Sequence, residues 1–189
     1  MNEIEVKILE INRNKVIETL SRLSAKKIFD SEIQTIFFDF NDGRIVKSKD
    51  VLRLRKEQDK TELTYKKVLA TKSTKQAEET SVEVSNIETM KTILQNLGLI
   101  IVENMLKHRI SYKIDNVRFD IDRYLGSYDF VPEFMEIEGE ENEIKKYAEL
   151  LGFKPKDCLP WSTYDIIQYY SKKKDFRRIG GLLLGSFMI

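Results

Sequence analysis

Along most of this chain, apolar and charged residues alternate with a period of two. Near the start, Glu3, Glu5 and Lys7 fall on one parity and Ile4, Val6 and Ile8 on the other. That is the pattern of a strand with one apolar and one charged face. Later stretches repeat it. Arg53, Arg55 and Glu57 oppose Leu52 and Leu54, and Lys66 shares a parity with Thr64 against Leu63 and Tyr65. Glu79 and Glu83 oppose Thr80, Val82 and Val84, while Lys107, Arg109 and Lys113 oppose His108, Ile110, Tyr112 and Ile114. Asp120 and Asp122 oppose Phe119 and Ile121, and Glu136 and Glu138 oppose Met135 and Ile137.

Between these stretches the apolar spacing changes to that of helices. Asn12 or Asn14 caps a helix reaching about Ala25, with Val16, Ile17, Leu20 and Leu23 on one face. Asn86 caps a second, which carries Met90, Ile93, Leu94 and Leu97 and stops at Gly98. Glu140 to Leu151 is a third, ending at Gly152, and Trp161 to Tyr170 a fourth with Pro160 in its first turn. Strands are expected over 27–40, over 51–57 and 61–68 as a hairpin, over 78–84, over 99–124 with a turn at Asp115-Asn116, and over 133–139. The run from Asn41 to Asp50 reads as a turn and loop, and the polar run 70–76 as mobile.

Four short helices cannot cover both faces of about eight strands, and an open sheet would leave long edges. The expected architecture is α+β: a closed eight-stranded antiparallel β-barrel, helices packed outside on the apolar parity, charged parity lining a tunnel. One domain is expected over 1–170, with a tail over 171–189 whose role the pattern does not assign.

Composition narrows the chemistry. Charged residues make up 33% of the 189, against roughly 25% in an average soluble protein. Yet Lys+Arg 32 balance Asp+Glu 31, a net charge of +1, which argues against a nucleic-acid or membrane-surface partner. Cys158 is alone and His108 is the only histidine, so neither an internal disulfide nor a zinc site is expected. Without a signal peptide or a long apolar span, a cytoplasmic location is expected. His108 reads as packed outside the barrel; Trp161, Tyr164 and Tyr169 as packing for the last helix; Lys172 to Lys174 as a solvated face. Asp39 and Glu57 suit either metal or turn and surface roles. A tunnel lined by about eight carboxylates and about seven cationic groups needs a compensating guest. A polyphosphate with hard divalent cations fits, Lys and Arg taking phosphate oxygens and carboxylates taking Mg²⁺ or Mn²⁺.

These residues, in this order, resemble the CYTH family, also called triphosphate tunnel metalloenzymes. The likeness runs through Glu3-x-Glu5-x-Lys7, Phe37-Phe38-Asp39, Leu52-Arg53-Leu54-Arg55, Leu63-Thr64-Tyr65-Lys66, the Glu-rich strand 78–83, Lys107-x-Arg109-x-x-Tyr112, Asp120-x-Asp122 and Glu136-Ile137-Glu138. The resemblance implies an antiparallel tunnel barrel and a small-molecule triphosphate substrate, used with Mg²⁺ or Mn²⁺. It assigns Glu3, Glu5, Glu136 and Glu138 to metal, with Asp122 and Glu83 as helpers. Lys7, Arg53, Arg55, Lys66, Lys107 and Arg109 would hold the triphosphate, with Lys7, Glu5 and Glu136 at the reacting centre. Hydrolysis of inorganic, thiamine or nucleoside triphosphate, and cyclisation of ATP as in the class IV adenylate cyclases, both remain open; so does a non-catalytic polyphosphate or nucleotide binder. Two departures stand out. Ser81 occupies a position where a carboxylate is common in the family, and the usual Gly-Leu-Gly turn is replaced by a longer connection through Pro132.

Overall fold

The computed structural model describes residues 4–69 and 76–184; Glu3, most of the polar run 70–76 and residues 185–189 lie outside them. Eight strands form one sheet: β1 Glu5–Ile8, β2 Lys26–Phe40, β3 Val51–Glu57, β4 Lys60–Leu69, β5 Gln76–Glu83, β6 Leu99–Ile114, β7 Val117–Leu125 and β8 Phe134–Glu138. Their order is β1-β8-β7-β6-β2-β3-β4-β5. The pairings β1–β8, β7–β8, β2–β3, β3–β4 and β4–β5 are antiparallel. The helices are α1 Arg13–Arg22, α2 Arg44–Lys47, α3 Ile87–Asn96, α4 Glu141–Leu150 and α5 Thr163–Leu184. The α+β class and the eight antiparallel strands expected from the pattern are present. Among the described residues no helix is long and apolar enough to cross a membrane.

The chain divides into two compact units, one comprising Glu3–Phe29 with Ile110–Ile189, the other built on Asp30–Arg109. In the first, Ile8 of β1, Phe119 and Ile121 of β7, and Met135 and Ile137 of β8 bury against Val16 and Leu20 of α1 and Ile144 and Tyr147 of α4. Each such side chain contributes about 1.5–3 kcal/mol. The Asn12 side chain accepts the Lys15 N–H at 3.1 Å and so starts α1. Its Val16 and Leu20, one turn apart, then meet the sheet together.

In the second unit Ile36 and Phe38 of β2 and Leu54 of β3 pack with Leu94 of α3, and Leu52, Leu63 and Met90 flank them. Asn86 caps α3 by accepting the Thr89 N–H at 2.8 Å. In both units the apolar parity faces helices, as alternation requires.

Two elements differ from expectation. The segment expected as a loop to Asp50 contains the single-turn helix α2. The last helix begins at Thr163 and continues past Tyr170 to Leu184, leaving Pro160 and Trp161 outside it. Its start is set by Ser162 and Asp165, which bond each other reciprocally at 2.6–3.3 Å. It continues because no proline interrupts the polar residues after Tyr170.

Asp39 resolves into a structural role. Buried at the end of β2, it accepts the N–H groups of Phe40, Ile45 and Val46 at 2.7, 3.0 and 3.0 Å. Burial alone would raise its pKa, but these donors outweigh it and hold the carboxyl below its ordinary value. A carboxyl so lowered contributes stability above its unfolded pKa and loses it as pH falls through the folded one. Asp39→Ala should therefore cost about 2–4 kcal/mol at neutral pH by urea unfolding, and the difference from the parent protein should shrink in acid.

Candidate functional site

Each unit carries a charged face opposite its apolar one. In the unit holding β1, the register sets Glu5 across from Glu138 and Lys7 across from Glu136. On the other side of β8, Arg118 stands across from Glu138 and Asp120 across from Glu136. Lys7 is the centre of this face. Its main-chain N–H goes to Leu159 rather than to β8, so Lys7 and Glu136 form a non-hydrogen-bonded pair, the kind whose side chains approach most closely. The ammonium donates to Glu5 Oε1 at 2.7 Å and lies 3.2 Å from Glu136 Oε1, with its side chain only 2% exposed. Burial would lower its pKa, but the two carboxylates outweigh that and raise it above the ordinary 10.5.

Arg118, which the reading of the alternation passed over, shares the parity of Asp120 and Asp122. Its Nε donates to Asp120 Oδ1 at 2.8 Å, and Nη2 reaches Ser111 Oγ at 3.4 Å. Asp120 and Asp122 are buried. This face thus brings together Glu5, Lys7, Glu136 and Glu138 of the expected set, with Asp122 on the same parity of β7.

In the other unit the register lines up Thr35, Arg55, Glu62 and Glu83 as one lateral row, and Phe37, Arg53, Thr64 and Ser81 as the next. Lys66 lies across from Glu79 and bonds it at 2.5 Å. Arg53 is 3.9 Å from Glu79, and Arg55 is 3.4 Å from Glu57. Burial and the neighbouring Arg55 pull the Arg53 pKa down against Glu79, Glu62 and Glu57. Burial raises that of Glu79, but Lys66, Arg53 and Arg55 outweigh it and lower it. The Nε atoms of both Arg53 and Arg55 are buried with no hydrogen-bond partner among the described residues. Two donors without acceptors in a desolvated place are costly.

Ser81, at the position where a carboxylate was expected, donates to Thr64 Oγ1 at 3.0 Å, and Thr64 donates to Glu62 at 3.1 Å. Glu62 was missed by the sequence reading, although its parity with Thr64 and Lys66 places it. Glu83, expected as a metal helper, is 68% exposed and 3.9 Å from Lys60. Lys107 is half-buried and Arg109 buried on β6, whereas Lys113 is exposed. His108 pairs with Asp30 at 3.1 Å.

The carboxylates around Lys7 are an all-oxygen donor set, which fits Mg²⁺ or Mn²⁺ and not a soft metal. Among the described residues no three acidic, histidine or cysteine side chains converge into a cage. An open site fits Mg²⁺, which keeps water and phosphate oxygens among its ligands. Of the residues expected at a metal, Glu5, Glu136 and Glu138 share this face.

A family model for the CYTH domain matches residues 1–154. A Methanocaldococcus jannaschii protein provisionally named as an adenylate cyclase is 30% identical over 151 residues, covering 80% of this chain and 84% of the relative. A solved Pyrococcus horikoshii protein is 26% identical with a TM-score of 0.71, covering 87% of this chain and 98% of its own. A Hippeastrum protein, described as an adenylyl cyclase with a dominant triphosphatase activity, shares the fold at a TM-score of 0.61 and 14% identity, over 89% and 96% of the two chains.

The Lys7 cluster carries its own prediction. A raised lysine pKa contributes stability that is complete below the unfolded value and is lost as pH climbs through the folded one. Lys7→Met should cost about 1–3 kcal/mol at neutral pH. Measured by urea unfolding across the alkaline range, the cost should dwindle above the ordinary lysine pKa of 10.5.

Proposed function

Since the chain belongs to the CYTH family, we propose that it is an enzyme that hydrolyses a small triphosphate with the help of Mg²⁺ or Mn²⁺. The observation that carries this reading is the pair of buried Nε donors on Arg53 and Arg55, without an acceptor among the described residues. A guest rich in anionic oxygens supplies what they lack, and a guanidinium fork matches a phosphate. Lys66 stands on the same face, and Lys107 and Arg109 extend the cationic set along β6.

In this reading the charged parity of the strands is the surface that meets the substrate. Phosphoryl transfer needs positioning and charge neutralisation more than covalent help. Arg53, Arg55, Lys66, Lys107 and Arg109 hold the chain of phosphates. Lys7 exchanges a carboxylate partner for an oxygen of the transferred group and stabilises the charge that gathers there. Glu5, Glu136 and Glu138 would hold the divalent cation, with Glu3, Asp122 and Glu83 as further acidic groups. When bound, such a cation supplies neutralisation of phosphate charge and an acidified water.

Cyclisation of ATP is the second reading, favoured by the adenylate cyclase name of the Methanocaldococcus relative. The same clamp serves both, and they differ in which phosphorus meets the nucleophile. A panel of triphosphate, thiamine triphosphate and ATP with each metal separates them. Metal-dependent phosphate release without cyclic AMP is expected; cyclic AMP from ATP would replace hydrolysis by cyclisation, and binding without turnover would remove the enzyme altogether.

Two sets of variants follow. Glu136→Gln and Glu5→Gln should abolish metal-dependent turnover with circular dichroism unchanged. Arg55→Lys keeps the charge but loses Nε, and should raise KM for the triphosphate roughly tenfold.

A further inference from the structure

Past residue 154, where the family match ends, the chain returns to β1. A single helical turn, Pro155–Asp157, leads to Cys158 and Leu159. Leu159 lies antiparallel to β1 and takes both main-chain bonds of Lys7: the Lys7 N–H donates to its carbonyl at 2.8 Å, and its own N–H donates to the Lys7 carbonyl at 2.9 Å. Helix α5 then makes a second hold. Ile166 and Tyr170 are buried on it, and the Tyr170 hydroxyl donates to Glu10 Oε1 at 2.9 Å, with Lys173 Nζ 3.4 Å from the same oxygen. Lys173 also lies over the Tyr169 ring at 4.3 Å.

Glu10 sits two residues beyond β1 with a φ of 54°, a left-handed conformation that a non-glycine residue adopts only when its surroundings hold it. Tyr170 and Lys173 are part of that hold. A four-residue strand is thus gripped at Lys7 and again just past its end. Both grips come from chain outside the family match. The spatial demand is severe, because the Lys7 ammonium has to reach Glu5 and Glu136 together, and displacing a reacting group by about 1 Å costs up to roughly a hundredfold in rate.

We propose that the segment after the family domain is a positioning device for β1, in which Leu159 sets the main chain of Lys7 and Tyr170, through Glu10, anchors the end of the strand. Tyr170 is accordingly a positioning residue for turnover. Its effect on rate rests on the role given to Lys7 above; the mechanical coupling does not.

The test separates the two. Tyr170→Phe keeps the ring and removes the hydroxyl, Glu10→Ala removes the acceptor, and Glu10→Gln keeps one. Amide hydrogen exchange at Lys7, followed by NMR in the substrate-free protein, should quicken about tenfold in the first two and stay near the parent rate in Glu10→Gln, with β7 amides unchanged in all. Under triphosphate and Mg²⁺, kcat should fall about fivefold in Tyr170→Phe and Glu10→Ala while KM stays within about twofold. Unaltered Lys7 exchange in both variants would overturn the coupling, and quicker exchange with unaltered kcat would overturn the positioning role. If Tyr170→Phe does not fold, the Glu10 pair carries the same comparison. Quicker exchange in a protein that turns over no triphosphate would support the coupling and count against the hydrolase reading alone.

Discussion

The contact on which one charged face depends is the short bridge from the Lys7 ammonium to two carboxylates. An ammonium removed from water costs several kcal/mol unless its partners are close and well oriented. Here closeness follows from backbone geometry. Because Lys7 gives its main-chain bonds to Leu159, it meets Glu136 as a non-hydrogen-bonded pair, and that class of pair brings side chains nearest. The chemistry of the face is therefore written first in the hydrogen-bond parity of a strand edge.

The second charged face is balanced differently. Lys66 and Glu79 satisfy one another, and the hydroxyls of Ser81 and Thr64 relay to Glu62. Among the described residues, Arg53 and Arg55 nevertheless keep buried donors in surplus. One face thus holds its cation between two acids, and the other presents guanidinium groups with bonding capacity left over. Anionic oxygens are the groups that complement such arginines, and hard cations the groups that complement clustered carboxylates.

Much of this was legible in the sequence. The strand faces, the capping role of Asn86, a cap at Asn12 or Asn14 and the grouping of Arg53 with Arg55 follow from spacing alone; the structure selects Asn12. Arg118 and Glu62 were equally legible, because each shares the parity of charged neighbours on its own strand, Asp120 on β7 and Lys66 on β4. Other features were not. The turn of α2 is held by Asp39 from across a loop, a contact that local propensity does not encode. Helix α5 runs past both Tyr170 and the glycine pair Gly180-Gly181, so the residues that stop a helix elsewhere in this chain do not set its end.

The alternation by itself determined which residues share a face, because side-chain direction along a strand is a local property with a period of two. Helix starts belong to the same category, being settled by residues three or four positions apart. Register and partnership were decided only by the tertiary structure. That Lys7 meets Glu136, that Leu159 occupies the outer edge of β1, and that Tyr170 reaches Glu10 each join parts of the chain far apart in sequence. Such choices depend on how helices and strands pack as a whole, so no local spacing contains them.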